Sequence, residues 1–207
     1  MIFKQVTEII EGKKTQTRRI VKKNEHLSDY NNTDGCTVFT TSKGGKRRIK
    51  WQVGRKYAVV PKRAQPQVYY RYEEDGSLTL AHTAKMEYFD ETLLEWATRE
   101  NKPKRVELIK SYGYKPLSIR LTAIRLERLH DITEADAIAE GIETVERMTS
   151  SGVEMELYKD YLYKDEDKYF KYSDPIKSYK SLWESINGKG SWDTNPMVWV
   201  LEFQVVT

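Results

Sequence analysis

The sequence of 207 residues contains one cysteine and three histidines that lie far apart. The lone Cys36 excludes an internal disulfide framework and a cysteine-cluster zinc site. His26, His82 and His130 do not have the spacing of a zinc hydrolase motif. The sequence therefore predicts neither a metal nor a cofactor.

Long apolar runs are also absent from the sequence. No stretch approaches the roughly 20 apolar residues that cross a bilayer, and the first eight residues include an acid and no apolar signal core. We therefore expect a cytoplasmic protein with no membrane partner. The sequence motifs of phosphate-binding loops and of serine-hydrolase nucleophile elbows are missing as well.

Charge is distributed unevenly along the chain. Residues 1–60 hold 14 Lys and Arg against 5 Asp and Glu, whereas residues 131–207 hold 8 against 16. A basic first third of this kind favours a polyanionic partner. The alternative is that the basic and acidic parts of the chain simply face each other in the fold.

Apolar periodicity predicts a mixture of helices and strands. Helices are expected over about residues 4–11, after Asp90, from Thr133 to Gly141, and over 175–187. Strands are expected over 51–60, 68–72, 77–80, 117–129 and 198–205, with a loop or weak hairpin over 22–50. This order lacks regular βαβ alternation, so it predicts an α+β fold, a mixed and mostly antiparallel barrel.

The segment GKKTQTRR at residues 12–19 concentrates cations between threonines. Three interpretations are open for it. It can be a solvated strand edge, or a surface that neutralises phosphates without reading sequence. It can also hold a lysine whose amine pKa is lowered by neighbouring cations, and such an amine serves as a general base.

This segment resembles the GRKT-x-T-x-R signature of the ASCH-domain family. Further stretches resemble that family in the same order, namely VGRKY at 53–57, LERL at 126–129, ITE at 132–134, AEGI at 139–142 and WVLEF at 199–203. Together the matching stretches span residues 1–20, 51–60, 115–142 and 179–206. Their arrangement is similar to that of longer ASCH proteins encoded by phages and prophages.

The resemblance implies a PUA-like β-barrel with helices at its rim and a groove suited to RNA or a nucleoside. It also implies a single domain over residues 1–207, with insertions at 21–50, 61–114 and 143–174. No metal and no cofactor are expected in that groove.

The resemblance also implies a set of working residues. In family members that resemble small bacterial acetylcytidine amidohydrolases, these are a Lys and a Thr of the signature and a Glu on the short helix. They match Lys14, Thr17 and Glu140. Lys14 would deprotonate Thr17 or a water, and Glu140 would protonate the leaving nitrogen or read the edge of the base. Because Lys14 and Thr17 are three residues apart, a regular strand would point them to opposite faces, so their convergence requires a turn or a bulge.

Two functions from different classes follow from this resemblance. One is a hydrolase that acts on an acetylcytidine-like amide. The other is a non-catalytic RNA-binding module, or a ribonuclease of phage origin, in which cations contact phosphates. Those cations would be Lys13, Lys14, Arg18, Arg19 and Arg120. A third alternative is a phage interaction protein whose site is no longer active.

Overall fold

The computed structural model describes residues 5–21, 25–33, 36–41, 46–48, 51–60, 67–82, 110–148, 152–163 and 170–206. Within these residues the chain is a mixed α+β protein with small sheets and few helices. The strand pairs run antiparallel. The α+β class and the mostly antiparallel pairing predicted from the sequence are therefore confirmed.

Three α-helices lie in the described part of the chain. They are α1 Val6–Ile10, α2 Glu134–Ala139 and α3 Pro175–Asn187. Pro175 occupies the first turn of α3, where its missing N–H leaves no hydrogen bond unmade. Asp174 caps the same helix by accepting a hydrogen bond from the N–H of Ile176 at 2.8 Å. The predicted start and end of this helix are confirmed, whereas the helix expected after Asp90 lies outside the described residues.

Thirteen strands lie in the described residues. They are β1 Gln16–Ile20, β2 Glu25–Thr33, β3 Cys36–Thr41, β4 Lys46–Arg48, β5 Lys56–Ala58, β6 Val68–Tyr72, β7 Leu78–His82, β8 Lys115–Pro116, β9 Ser118–Arg128, β10 Thr144–Met148, β11 Glu154–Lys159, β12 Phe170–Tyr172 and β13 Met197–Val206. The strand predicted over 51–60 is shorter, because a turn with Gly54 at φ 81° precedes β5. The expected loop or weak hairpin over 22–50 contains three strands instead.

The chain divides into two compact units. The smaller unit comprises residues 1–10, 56–120 and 205–207, and the larger comprises 11–55 and 121–204. The single domain with three insertions, expected from the resemblance, stays a prediction.

The smaller unit contains the two strands predicted over 68–72 and 77–80, which pair as a hairpin. Strands β6 and β7 pair with Tyr70 opposite Leu80, and Gly76 has the positive φ that their connection requires. Strand β8 pairs with the other edge of β6. Strand β5 pairs with the first three residues of β9, with Ala58 opposite Ser118.

In the larger unit, β13 lies between β1 and β9. The register of β1 on β13 sets Thr17 opposite Leu201 and Gln16 opposite Glu202. Residues 198–201 of β13 are buried without alternation, as expected of a strand that is covered on both faces. This unit also holds two further sheets, with the strand orders β2–β3–β4 and β10–β11–β12.

Helix α3 packs its apolar face into the main core of the larger unit. Tyr179, Leu182 and Trp183 of this face are buried in one cluster with Val198 and Val200 of β13. Complete burial of each such side chain contributes about 1.5–3 kcal/mol to folding. This core fixes β13, and through it β1, which carries Thr17, Arg18 and Arg19 of the predicted site.

Candidate functional site

Two of the three predicted catalytic residues, Lys14 and Glu140, meet in the larger unit, where the chain before β1 crosses the end of α2. The backbone N–H of Thr15 donates to the carbonyl of Ala139 at 2.9 Å. Lys14 and Glu140 are paired in an isolated antiparallel bridge. Two residues that are 126 positions apart in the sequence are therefore neighbours in space.

Local sequence explains how α2 presents Glu140. The Thr133 side chain accepts from the N–H of Asp136 at 3.1 Å, and the Asp136 side chain accepts from the N–H of Thr133 at 3.2 Å. This reciprocal capping box fixes the first turn, as the sequence predicts. Glu140 caps the end of the helix, and Gly141 follows with φ 77°, a left-handed conformation that glycine adopts without steric cost. Glu140 is thereby held at the point where the chain turns.

Lys14 and Glu140 form a buried ion pair. The Lys14 Nζ donates to Glu140 Oε2 at 3.1 Å and also to the main-chain oxygen of Glu140. The two side chains are only 5% and 4% exposed. The last carbonyls of a helix lack hydrogen-bond partners within the helix. The Lys14 ammonium donates to one of them, the carbonyl of Glu140 at the end of α2. A buried pair costs desolvation energy and persists only when further contacts hold both charges.

Arg18 supplies those further contacts. Its side chain is 0% exposed, and its Nη1 donates to Glu140 Oε1 at 3.3 Å. Its Nη2 lies 2.7 Å from Glu127 Oε1 and 3.2 Å from Asp136 Oδ2. The guanidinium also lies over the ring of Tyr179, 5.8 Å from its centroid. Glu140 therefore holds Lys14 with one carboxylate oxygen and Arg18 with the other.

Arg125 extends the same network toward the surface. Its Nη2 donates to Asp136 Oδ1 at 2.6 Å and to Gln16 Oε1 at 3.3 Å. Its Nε donates to Glu127 Oε2 at 3.0 Å, and its Nη1 donates to Glu202. The network from Lys14 to Glu202 thus contains three cations and four carboxylates, all in the larger unit.

The electrostatics of this network shift several pKa values. Burial alone would raise the pKa of Asp136, but hydrogen bonds from Thr133 and the charges of Arg18 and Arg125 lower it to about 2. Burial raises the pKa of the Tyr179 hydroxyl well above its usual value, and the charge of Glu140 raises it further. Burial lowers the pKa of the Arg19 guanidinium, although the charge of Glu140 opposes that effect. Asp136 is therefore a carboxylate throughout the neutral range.

The structure does not join Thr17 to the Lys14–Glu140 pair. Thr17 is buried opposite Leu201 in regular pairing, and alternation along β1 sends its side chain to the face opposite Gln16 and Arg18. Among the described residues, no hydrogen bond links the Thr17 hydroxyl to Lys14 or Glu140.

The cations expected to contact phosphate have different surroundings. Lys13 is 70% exposed and pairs with Glu11 at 2.9 Å. Arg19 is half-buried, and Arg18 is enclosed by carboxylates as described above. Arg120 is exposed on β9 in the smaller unit, opposite Lys56.

A cleft of about 320 Å³ opens beside the network, within the larger unit. Its lining includes Thr15, Gln16, Asp136, Ala139, Glu202 and Phe203. Thr15 follows Lys14 directly and Ala139 precedes Glu140, so the cleft borders the two segments that carry the ion pair. Its volume is at the small end of the range for ligand pockets, which is about 300–1,000 Å³.

Sequence reasoning missed four members of the site, namely Gln16, Arg125, Glu127 and Glu202, and treated Asp136 only as a helix cap. A signal for them does exist in the sequence. Polar residues two apart in a strand share one face, and such pairs occur in β1 as Gln16 and Arg18 and in β9 as Arg125 and Glu127. Opposite charges on two strands of one sheet are expected to pair.

Two further findings concern the residues that the structure describes. Among the described residues, no three His, Cys, Asp or Glu side chains are grouped so as to hold a metal ion. In that same part of the chain, no helix has both the length and the hydrophobicity to traverse a bilayer.

Comparisons with protein-family models, with curated proteins and with solved structures found no match to this chain.

Proposed function

We propose that the chain is an ASCH-type protein with a PUA-like barrel that binds a modified nucleoside and hydrolyses an acetylcytidine-like amide. One observation carries the proposal, the buried contact between Lys14 and Glu140 at 3.1 Å. The family resemblance selects the same two residues from distant parts of the sequence. A lysine and a glutamate that meet beside a cleft form a potential acid–base pair.

Transfer of one proton within this pair generates both catalysts. Moving a proton from the Lys14 ammonium to the Glu140 carboxylate gives a neutral amine, which is a base, and a carboxylic acid. The second oxygen of Glu140 is held by Arg18 at 3.3 Å, which fixes the orientation of the acid.

The reaction that follows is a hydrolysis with water as the attacking group. A water molecule adds to the acetyl carbon while its proton passes to the Lys14 amine. The carbon–nitrogen bond then breaks as Glu140 gives its proton to the leaving nitrogen. The products are acetic acid and the free exocyclic amine, and the pair returns to the ammonium and carboxylate forms. Water is assigned this role because alternation along β1 places Thr17 on the face opposite Arg18, and Arg18 contacts Glu140.

Binding of an RNA, rather than of a free nucleoside, would rest on few of the predicted cations. Arg120 is exposed in the smaller unit, Lys13 is exposed but pairs with Glu11, and Arg18 is enclosed by carboxylates. A non-catalytic RNA-binding module is therefore the second candidate. Titration of a short RNA at two salt concentrations tests it, because contacts to phosphates weaken as salt rises.

The hydrolase proposal is tested by following the ultraviolet spectrum of acetylcytidine incubated with the protein. We expect turnover by the wild type and a loss of at least about 100-fold in Lys14→Met, since general acid–base catalysis contributes about 10²–10⁴-fold. The matched control is Lys159→Met, which removes a half-buried lysine paired with Glu143 at 2.9 Å elsewhere in the same unit. Absence of turnover by the wild type would overturn the proposal for this substrate.

A further inference from the structure

Two exposed cations lie directly opposite each other in the smaller unit. The register of β5 on β9 pairs Lys56 with Arg120, and both residues are exposed. Directly opposite residues of an antiparallel pair project from the same face of the sheet, so the two positive charges share one surface. Like charges in this arrangement destabilise the pairing of the strands.

The hydrogen-bond pattern gives this pair the closer of the two strand spacings. The N–H of Val59 donates to the carbonyl of Leu117 at 3.1 Å, in the register that β5 and β9 continue. Hydrogen-bonded and non-hydrogen-bonded pairs alternate along antiparallel strands. Three steps back along this alternation, Lys56 and Arg120 are a non-hydrogen-bonded pair, in which the Cα atoms lie about 4.5 Å apart. The two side chains therefore leave the sheet side by side.

No carboxylate compensates these charges within the part of the chain that the structure describes, where neither cation forms an ion pair. Arg71 of β6, in the same unit, does have such a partner, because it pairs with Glu73 at 2.7 Å. The next pair on the face that carries the two cations is Ala58 opposite Ser118, which is neutral. This face therefore presents two positive charges to the solvent.

A phosphate monoester complements such a pair. It carries a charge of about −1.5 to −2 at neutral pH, which matches two cations. A guanidinium donates to two phosphate oxygens at once, and an ammonium binds a further oxygen as a point charge. Because an anion between the two cations removes their mutual repulsion, binding gains energy that neither cation would supply alone.

We propose that Lys56 and Arg120 together bind a phosphate monoester group, carried by a small molecule or by the end of an oligonucleotide. The sequence predicts Arg120 as a phosphate contact, and the register of the strands adds Lys56 as its partner. The proposal does not rest on the hydrolase, since all its residues lie in the smaller unit and Lys14 and Glu140 lie in the larger one.

NMR titration of the full-length protein with inorganic phosphate, at constant ionic strength, tests the site. Phosphate should shift the amide signals of residues 56–58 and 118–120. Lys56→Met and Arg120→Met should each weaken binding at least about tenfold, as expected for the loss of a charge-assisted hydrogen bond. The matched control is Lys115→Met, which removes an exposed cation of β8 in the same unit and should weaken binding less than about twofold. Equal losses in the three variants would overturn the proposal.

Two RNA probes distinguish the sources of the phosphate group. If an oligonucleotide end is the source, hexauridylate with a 5′-phosphate should bind more tightly than hexauridylate with a 5′-hydroxyl, and Lys56→Met should abolish the difference. Binding of inorganic phosphate without a difference between the RNAs assigns the site to a small molecule. A wild type that neither binds inorganic phosphate nor distinguishes the two RNAs overturns the proposal.

The stability of the phosphate-free protein provides a second check. Since removal of either charge relieves the repulsion, neither Lys56→Met nor Arg120→Met should lower the urea midpoint of unfolding. A lowered midpoint together with unchanged phosphate binding would make the pair structural and overturn the site. If circular dichroism finds Lys56→Met unfolded, Lys56→Gln is titrated in its place.

Discussion

The backbone of Gly141 lies directly against the side chain of Lys14. A Cβ atom built at position 141 would lie 2.7 Å from the Cβ of Lys14 and 3.3 Å from its Cα. Two carbon atoms 2.7 Å apart clash, because their van der Waals contact distance is much longer. The Cβ of Lys14 can move away only if the backbone of Lys14 moves with it. Gly141 is therefore what allows the chain at Lys14 to approach the end of α2 and brings the ammonium to Glu140.

Substitution of this glycine should destabilise the protein. In Gly141→Ala the clash adds to the cost of a left-handed conformation at φ 77°, and together they should lower the free energy of unfolding by about 2–4 kcal/mol. Denaturant unfolding measures this. Gly152→Ala is the matched control, since Gly152 has φ 78° but nothing within 4 Å of a built Cβ. Equal losses in the two variants would contradict the close approach.

Removal of Arg18 should be far more costly than removal of an exposed cation. Arg18→Met leaves Glu127, Asp136 and Glu140 without the guanidinium that all three contact. Removing one partner of a buried ion pair lowers the free energy of unfolding by about 3–5 kcal/mol. Lys13→Met, which removes an exposed partner of Glu11, should change the free energy of unfolding by less than about 1 kcal/mol. Similar effects of both substitutions in urea unfolding would refute the enclosed position of Arg18.

The free energy of unfolding should fall in acid, because the Asp136 carboxylate becomes protonated. Its pKa is about 2 in the folded chain against 3.8 for the ordinary group. Because the folded pKa is the lower one, the carboxylate stabilises the fold at neutral pH, and this contribution disappears as the pH drops from about 4 to about 2. It amounts to about 1–2 kcal/mol. The free energy of unfolding of wild type and of Asp136→Asn should therefore converge as the pH is lowered, and a constant difference from pH 5 to pH 2 would contradict the shift.

Thr17 should be dispensable for chemistry. Alternation along β1 places Thr17 on the face opposite Arg18, so Thr17→Val, which preserves the shape of the buried side chain, should retain acetylcytidine turnover within about threefold. Loss of turnover in Thr17→Val together with its retention in Thr17→Ser would instead identify the hydroxyl as the nucleophile. Both variants need an unchanged circular dichroism spectrum for the comparison to count.

Local signals in the sequence were sufficient to predict the elements that carry the site. Thr133 and Asp136 cap α2 as their spacing predicts, Pro175 begins α3, and Gly141 ends α2. These features depend on residues within one turn of each other, so sequence spacing determines them. Trp183 and Trp199 are buried in the core.

Tertiary contacts were beyond the reach of these local signals. The pairing of Arg125 with Asp136 and Glu202 depends on how β9, α2 and β13 are stacked, and no spacing within one element encodes that. The environment of Arg18 also depends on tertiary contacts. The sequence predicts a cation that contacts phosphate, whereas carboxylates enclose Arg18 in the structure. The family resemblance supplied the link between Lys14 and Glu140 that periodicity could not.

The most direct measurement is a double-mutant cycle on acetylcytidine hydrolysis with Lys14→Met, Glu140→Gln and the combined variant. The base and the acid arise from one shared proton, so each single substitution should lower kcat/KM by at least about 100-fold, and the combination should lower it little further. Independent effects that multiply in the double variant, or a wild type without turnover, would contradict a Lys14–Glu140 pair acting as one catalytic unit.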